Sequence, residues 1–463
     1  MSLMKKKQSS RQFAVVLGTI WIVVAGANSG KVFAAEKQPE FDWQAAPTEE
    51  MRSSLTLRDA ILRAFARNPQ IAEAAAQIRV GAGNLDVAKS AWYPQISLQG
   101  TAGKSRQTDS SGTLDNNASG GIQLSQLLYD FGRTGGSIDE QERLSDSYRY
   151  ALYGTMTDVA LSTLQAYLQV KRYQALSVAA RDNIESLQRV ADTAKLRADA
   201  GLSSQSDVLQ AETRIAGMRA TVEQYRAQQR SAQAQLTVLT GVVSDNLPDL
   251  PQSLLNQKVT LNKIPYENSA LVRAAQAKQQ AAIERVNQAE SQHWPTIKVQ
   301  AGRTRYQNAA GSGGSYWDDQ LQLAVDAPVY QGGAVSAKTR AAEGERQAAQ
   351  ADVEKAKLDI NQKASTAYAD MIGGQQRQVA GEDQYASATH TRSVYQDEYK
   401  LSKRSLNDLL SVEQDVFQAD TMRIGALYDG WDATVRYAAA VDNLVDMLGI
   451  DRQKETGDTI PSL

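Results

Sequence analysis

The chain contains no cysteine in 463 residues. That excludes disulfide frameworks, thiolate metal sites, thiol nucleophiles and lipidation of an N-terminal cysteine. Histidine is nearly missing as well: His293 and His390 are the only two, too few for a multi-histidine metal centre within one chain. Aromatic residues make up 6%, which suits long helices better than a compact aromatic-rich core. Neither sign of charge dominates. Fifty basic and 52 acidic residues leave a net charge of −2, so nothing electrostatic favours nucleic acid. Without a nucleophile–base pair, a ligand cluster or a phosphate loop, no catalytic residue, cofactor or metal is expected.

Long apolar runs are also scarce. The one from Phe13 to Ala25 is too short to span a bilayer as a helix. It follows Lys5, Lys6, Lys7 and Arg11 and precedes the small-residue spacing Val32-Phe33-Ala34, so residues 1–34 read as a signal peptide. Losing it removes five positive charges and no negative ones, taking the net from −2 to −7. The rest of the chain is expected outside the cytoplasm.

What is present is repetition. An offset of 201 residues lays Tyr93-Pro94 on Trp294-Pro295, Ile96 and Leu98 on Ile297 and Val299, and Ile122, Leu124 and Tyr129 on Leu323, Val325 and Tyr330. It also lays Ala166-Tyr167 on Ala367-Tyr368 and Asp207-Val208-Leu209 on Asp408-Leu409-Leu410. So long a period means two copies of one large unit rather than a solenoid. The expected organisation is a short N-terminal segment (35–54), a first repeat (55–241), a proline-containing linker (242–266), a second repeat (267–449) and a tail (450–463).

Each copy has one internal order. A helix from Leu55 to Ala91, capped by Thr56 and Asp59, opens the first. Strict alternation follows in Gln95–Gln99, Gly121–Ser125, Ile297–Gln300 and Leu321–Asp326, which predicts four amphipathic strands. Gly-, Ser- and Asn-rich stretches at Asp109–Gly121 and Asn308–Ser315 read as hairpin loops. Helices are then expected from Ser137-x-x-Glu140 and from Ala334. No proline interrupts residues 95–247 or 329–460, so these helices run on to turns near Gly201 and Lys400–Lys403. Exported amphipathic strands point to a membrane barrel, and four strands cannot close one, so several chains would share it. A soluble sheet covering the helices is the competing reading, and a periplasmic coiled-coil adaptor the competing class.

Several motifs, in order, resemble the TolC family of outer-membrane efflux proteins. They are Leu55-Thr56-Leu57-Arg58-Asp59-Ala60-Ile61 with Asn68-Pro69-Gln70-Ile71, Ala91-Trp92-Tyr93-Pro94, Leu127-Leu128-Tyr129-Asp130-Phe131-Gly132, and Gly201-Leu202-Ser203-Ser204-Gln205-Ser206-Asp207-Val208-Leu209. The resemblance runs from about Leu55 to Gly449. It implies an α+β membrane protein: a homotrimer sharing a twelve-stranded barrel in the outer membrane above a helical barrel that crosses the periplasm. It further implies a passive exit duct fed by an inner-membrane pump through a periplasmic adaptor. The form Tyr129-Asp130-Phe131-Gly132-Arg133 is most similar to the type I protein secretion branch with an ABC exporter, including adhesin exporters. Multidrug efflux with an RND pump is the alternative.

Strand alternation and helical spacing, together with the resemblance, place residues. Ile96, Leu98, Ile122, Leu124, Ile297, Val299, Leu321 and Leu323 should face lipid, with Gln123, Lys298 and Asp326 towards the lumen. The turns Gly201-Leu202-Ser203 and Lys400-Leu401-Ser402 should meet the adaptor. Tyr399, Arg404, Asp408 and Asp207 should form the periplasmic gate, with Arg404 reaching Asp207 and with Arg404, Asp408, Ser411 and Asp415 on one helical stripe. Two departures stand out. Ser411 replaces a second Asp, leaving Asp408 as the one carboxylate ring and putting divalent-cation block in question, and Ser402 replaces a turn glycine, which is expected to alter that turn.

Overall fold

The computed structural model describes residues 50–105, 115–250, 264–307 and 314–452. The expected signal peptide, the tips of both strand hairpins, Pro251 in the linker and residues 453–463 of the tail lie outside them.

A single constant offset governs the main elements. Helix α3 (Arg133–Asp199) and helix α6 (Ala334–Lys400) are each 67 residues long and begin 201 residues apart. At 1.5 Å per residue each spans about 100 Å. Their return partners, α4 (Gln205–Thr240) and α7 (Leu406–Ala440), also start 201 residues apart. The start of α3 differs from the expected one. Ser137 lies inside the helix, which begins four residues earlier after Phe131 and Gly132, both with positive φ. The cap comes from buried Asp130, whose carboxylate accepts from the amides of Gly132 (3.2 Å) and Thr134 (2.7 Å).

The opening helix differs too. It is divided into α1 (Leu57–Arg67) and α2 (Pro69–Ser90). Pro69 disfavours helical geometry at Asn68, which ends α1 and caps α2 by accepting from the Gln70 amide at 2.8 Å. Thr56 caps α1 as expected, accepting from the Asp59 amide at 3.2 Å. In the second copy, α5 (Ala270–Ser291) takes the place of α2.

Four strands form one antiparallel sheet in the order β2 (Gln95–Ser105), β3 (Asp115–Tyr129), β5 (Thr296–Gln307), β6 (Ser315–Asp326). The strand β3 takes Asp115–Gly121 out of the expected loop. Two short strands, β1 (Glu50–Met51) and β4 (Val242–Val243), pair in parallel at mid-length. There the largest apolar core gathers α1, the middle of α3, and the short C-terminal helix α8 (Leu444–Met447). The linker seals it: buried Tyr167 donates its hydroxyl to the Pro248 carbonyl at 2.5 Å, and Lys171 reaches the Leu247 carbonyl at 3.1 Å. Among the described residues no helix is long and apolar enough to cross a membrane.

Candidate functional site

Two regions at opposite ends of the helices carry the residues singled out above. The first is the sheet. In an antiparallel sheet, directly opposed residues share a face. Ile96 pairs with Leu124, Leu124 with Ala301 and Ala301 with Leu321, while Leu98 pairs with Ile122 and Val299 with Leu323. With two-residue alternation along each strand, this puts Ile96, Leu98, Ile122, Leu124, Ile297, Val299, Leu321 and Leu323 on one side. Leu98 and Leu321 are among the most exposed apolar residues of the single chain. Gln123, Lys298 and Asp326 fall on the opposite side, where polar side chains bond across strands. Gln99 donates to Gln123 at 3.1 Å, Gln322 donates to Gln300 at 2.8 Å, and Thr101 lies 2.6 Å from Ser119. This face bounds a trough of about 230 Å³. One face is thus fit for hydrocarbon and the other for water.

Aromatic rings mark the end of the sheet nearest the helices. Phe131 meets Tyr129 edge-on at 4.7 Å and stacks on Trp294 at 5.4 Å. Sequence periodicity pointed to the strands but not to this cluster, because its rings come from two repeats.

The second region is the far helical tip. Both turns are exposed, with Leu202 and Leu401 each about two-thirds accessible. In the first, Gly201 takes φ +72°, its amide donates to the Ala198 carbonyl at 3.0 Å, and that of Leu202 donates to Arg197 at 2.8 Å. In the second, Ser402 takes φ +60°, with Ser402 donating to Tyr399 at 3.0 Å and Lys403 to Glu398 at 2.9 Å. Both are Schellman turns. The serine does not alter the turn; it adopts the glycine's conformation.

Arg197 accounts for this, and sequence reasoning missed it. From the last turn of α3 it donates to the carbonyls of Tyr399 (2.9 Å) and Lys400 (3.2 Å) and to the Ser402 hydroxyl (2.8 Å), and it lies over the Tyr399 ring at 4.8 Å. A cation from one repeat therefore holds the terminal carbonyls of the other. No local pattern marks it, since its partners lie some 200 positions away.

The expected gate residues meet only in part. Tyr399 is buried in a tip core with Leu406, Leu409 and Leu410, and its hydroxyl makes no hydrogen bond among the described residues. Burial pushes its phenol up, Arg197 opposes the rise and nearby Asp207 adds to it. Arg404 does not reach Asp207 within the chain. It donates to Glu398 at 2.8 Å and stacks on Tyr395 at 4.1 Å, and the bond to Glu398 holds its guanidinium above the usual range. Nor does Arg404 share a helical stripe with Asp408, Ser411 and Asp415, because α7 begins only at Leu406. Asp408 closes a capping box: its amide donates to the Ser405 hydroxyl at 3.2 Å, and its carboxylate accepts from the Ser405 amide at 3.3 Å. The stable local pairs win over the longer reach.

One further carboxylate was missed. Glu413 is fully buried in α7, accepting from Ser186 of α3 (2.8 Å) and Gln396 of α6 (3.1 Å), with Arg392 at 3.7 Å. Its signal is an acid set among Leu409, Val412 and Val416. It ties three helices together just above the tip. Among the described residues no acidic or histidine group is arranged to hold a metal.

An amphipathic sheet at one end of a bundle about 100 Å long, with tight turns at the other, defines a protein that spans a membrane by strands and a compartment by helices. The chain belongs to the outer membrane efflux protein family, whose pattern it matches over residues 60–242 and 266–441. Members are passive outer-membrane channels extending into the periplasm of Gram-negative bacteria, not enzymes, and work as homotrimers with periplasmic adaptors and inner-membrane pumps. The outer membrane efflux protein BepC of Brucella suis biovar 1 (strain 1330) is 24% identical over 413 residues, covering 87% of this chain and 89% of that protein. Protein CyaE of Bordetella pertussis (strain Tohama I) is 25% identical over 359 residues, covering 75% of each. Among solved structures, the outer-membrane channel OprN superposes with a TM-score of 0.74 at 19% identity, over 84% of this chain and 90% of that one. The chain is an outer-membrane efflux channel of tripartite systems.

Proposed function

We propose that this channel is the exit duct for a secreted protein of the adhesin type, delivered by an ABC exporter and its adaptor. The observation that supports this cargo is the strand-to-helix joint Tyr129-Asp130-Phe131-Gly132-Arg133, similar to the type I secretion branch. Deleting the gene and assaying both the culture supernatant and drug susceptibility tests it. Loss of a large surface or secreted protein with unchanged susceptibility supports the reading. Drug hypersensitivity with normal secretion overturns it and favours small-molecule efflux through an RND pump.

Three copies would supply twelve strands. The exposed edges β2 and β6 of successive copies would pair, because open strand edges are not tolerated in hydrocarbon. The eight apolar residues then meet lipid. An arginine on the lipid face at mid-membrane costs about 2–4 kcal/mol, so Leu124→Arg should deplete assembled trimer far more than Gln123→Arg.

The exposed turns Gly201-Leu202-Ser203 and Lys400-Leu401-Ser402 are the adaptor's docking points. Leu202→Asp should abolish export with trimers intact. Cysteine placed at Ser203, in a chain free of other thiols, should crosslink to the adaptor. Closure of the tip rests on Tyr399, Arg404, Asp408 and Asp207, with Arg197 against Tyr399, Glu398 against Arg404 and Ser405 against Asp408 within the chain.

A further inference from the structure

We propose that the lipid-facing side of the sheet binds the phosphate groups of outer-leaflet glycolipid through Arg303 and Arg305, grouped around Trp317. This rests on the face assignment above. Strand pairing places all three residues on the face of Ile96 and Leu321: Leu98 pairs with Ile122, Ile122 with Arg303 and Arg303 with Asp319, and Arg305 pairs with Trp317 one rung beyond. Arg303 and Arg305 lie over the Trp317 ring at 4.8 and 5.7 Å.

Their height is what matters. Trp294, in the aromatic cluster, lies just before β5, and Arg305 lies nine residues along that strand from its first residue, Thr296. At about 3.3 Å per residue and a strand tilt of 35–45°, that separation is about 21–24 Å along the membrane normal, close to the roughly 25 Å apolar band of outer-membrane barrels. The helices leave from the Trp294 end into the periplasm, so Arg303 and Arg305 stand at the outer headgroup level. Between the two rims the same face carries Ile297, Val299, Ala301, Leu321, Leu323 and Val325, with no charge.

The charges are unbalanced and accessible. Arg303 has one acid, Asp319, at 3.3 Å, and both side chains are more than 60% exposed. Arg305 has no ion pair among the described residues, and Lys104, on the same face further out, adds a third cation. Gly120 and Gly100 fill the rung beside Arg305 on β3 and β2, leaving a side-chain-free notch for a bulky headgroup. A planar guanidinium matches phosphate in a bidentate fork, and the outer leaflet at this level is phosphorylated glycolipid. The indole between the arginines suits a membrane–water interface, apolar in body and polar at its N–H.

Native mass spectrometry on detergent-purified trimers, titrated with diphosphorylated lipid A or with its dephosphorylated form, tests this. Wild type should bind the phosphorylated form about tenfold more tightly. Arg303→Gln with Arg305→Gln should erase that preference, Lys298→Gln on the lumen face should preserve it, and millimolar inorganic phosphate should not displace the lipid. If the double variant does not assemble, Arg305→Gln alone, which keeps the Arg303–Asp319 pair, should still lower the preference severalfold. Equal binding of both lipids by wild type, an unchanged preference in the arginine variants, or displacement by free phosphate overturns the proposal while leaving the faces assigned. A preference lost only on Lys298→Gln overturns the face assignment itself.

Discussion

Helices α3 and α6 are equal in length and equivalent in sequence position, yet α3 buries well over twice as many residues within the chain as α6. The first lies in the middle of the wall. Its inner portion packs on α1, the linker and α8, and Arg172 and Gln165 reach Asp429 and Asp432 of α7 at 2.9 Å. The second is held mainly through small residues. A Cβ on Gly374 would sit 2.9 Å from the Gly430 backbone, and one on Gly381 would sit 3.2 Å from that of Arg423. The remaining surface of α6 exposes Leu358 and Val379, each more than 60% accessible. Duplication supplied two copies of one helix; the surroundings made one a core and left the other largely exposed within the single chain.

The largest effect is expected where that asymmetry is greatest. Leu358→Arg with Val379→Arg should eliminate heat-resistant trimers on semi-native gels while the monomer keeps its helical circular dichroism. Undiminished trimers would mean that this face of α6 meets water. Next comes the close crossing of α6 and α7. Gly374→Val forces backbones apart, and overpacking of this kind costs about 1–3 kcal/mol, readable as a lower melting temperature; the same change at Gly344, which has open space around it, should cost much less.

Equivalent tyrosines sharpen the contrast. Tyr167→Phe strands the Pro248 carbonyl and should cost about 1–2 kcal/mol in denaturant unfolding, whereas Tyr368→Phe, in a small cluster with Ile264 of the linker but with no hydroxyl bond to a linker carbonyl among the described residues, should be close to neutral. The smallest effects are in the turns. Gly201→Ser places a side chain in the left-handed region with nothing nearby to bind it, at about 1–2 kcal/mol. Ser402→Gly relieves a similar strain but loses the Arg197 bond, worth about 0.5–1.5 kcal/mol, so stability should barely change.

Much of this architecture was legible in the chain. The 201-residue offset, the two-residue alternation and the absence of proline located the strands and the long helices, because each is a local or periodic signal. The exceptions have physical reasons. Asn68-Pro69 was visible yet read through, although proline restrains the residue before it. Asp115–Gly121 was taken as loop on its polar composition, but strand pairing with β2 and β5 overrides composition there. At the tip, the residue types were legible and the pairings were not. Arg404 turns to Glu398 six positions away, and Arg197 crosses to the other repeat, choices fixed by packing rather than spacing.

Single-channel conductance of purified trimers in planar bilayers measures the central claim, that this is a passive duct held shut at its helical tip. Wild type should conduct weakly, and Tyr399→Phe with Arg404→Ser should raise the conductance severalfold with trimers intact. Arg197→Ala, releasing the carbonyls of Tyr399 and Lys400, should act in the same direction. Conductance unchanged from wild type in both variants, with trimers intact, would contradict a gate built from these residues.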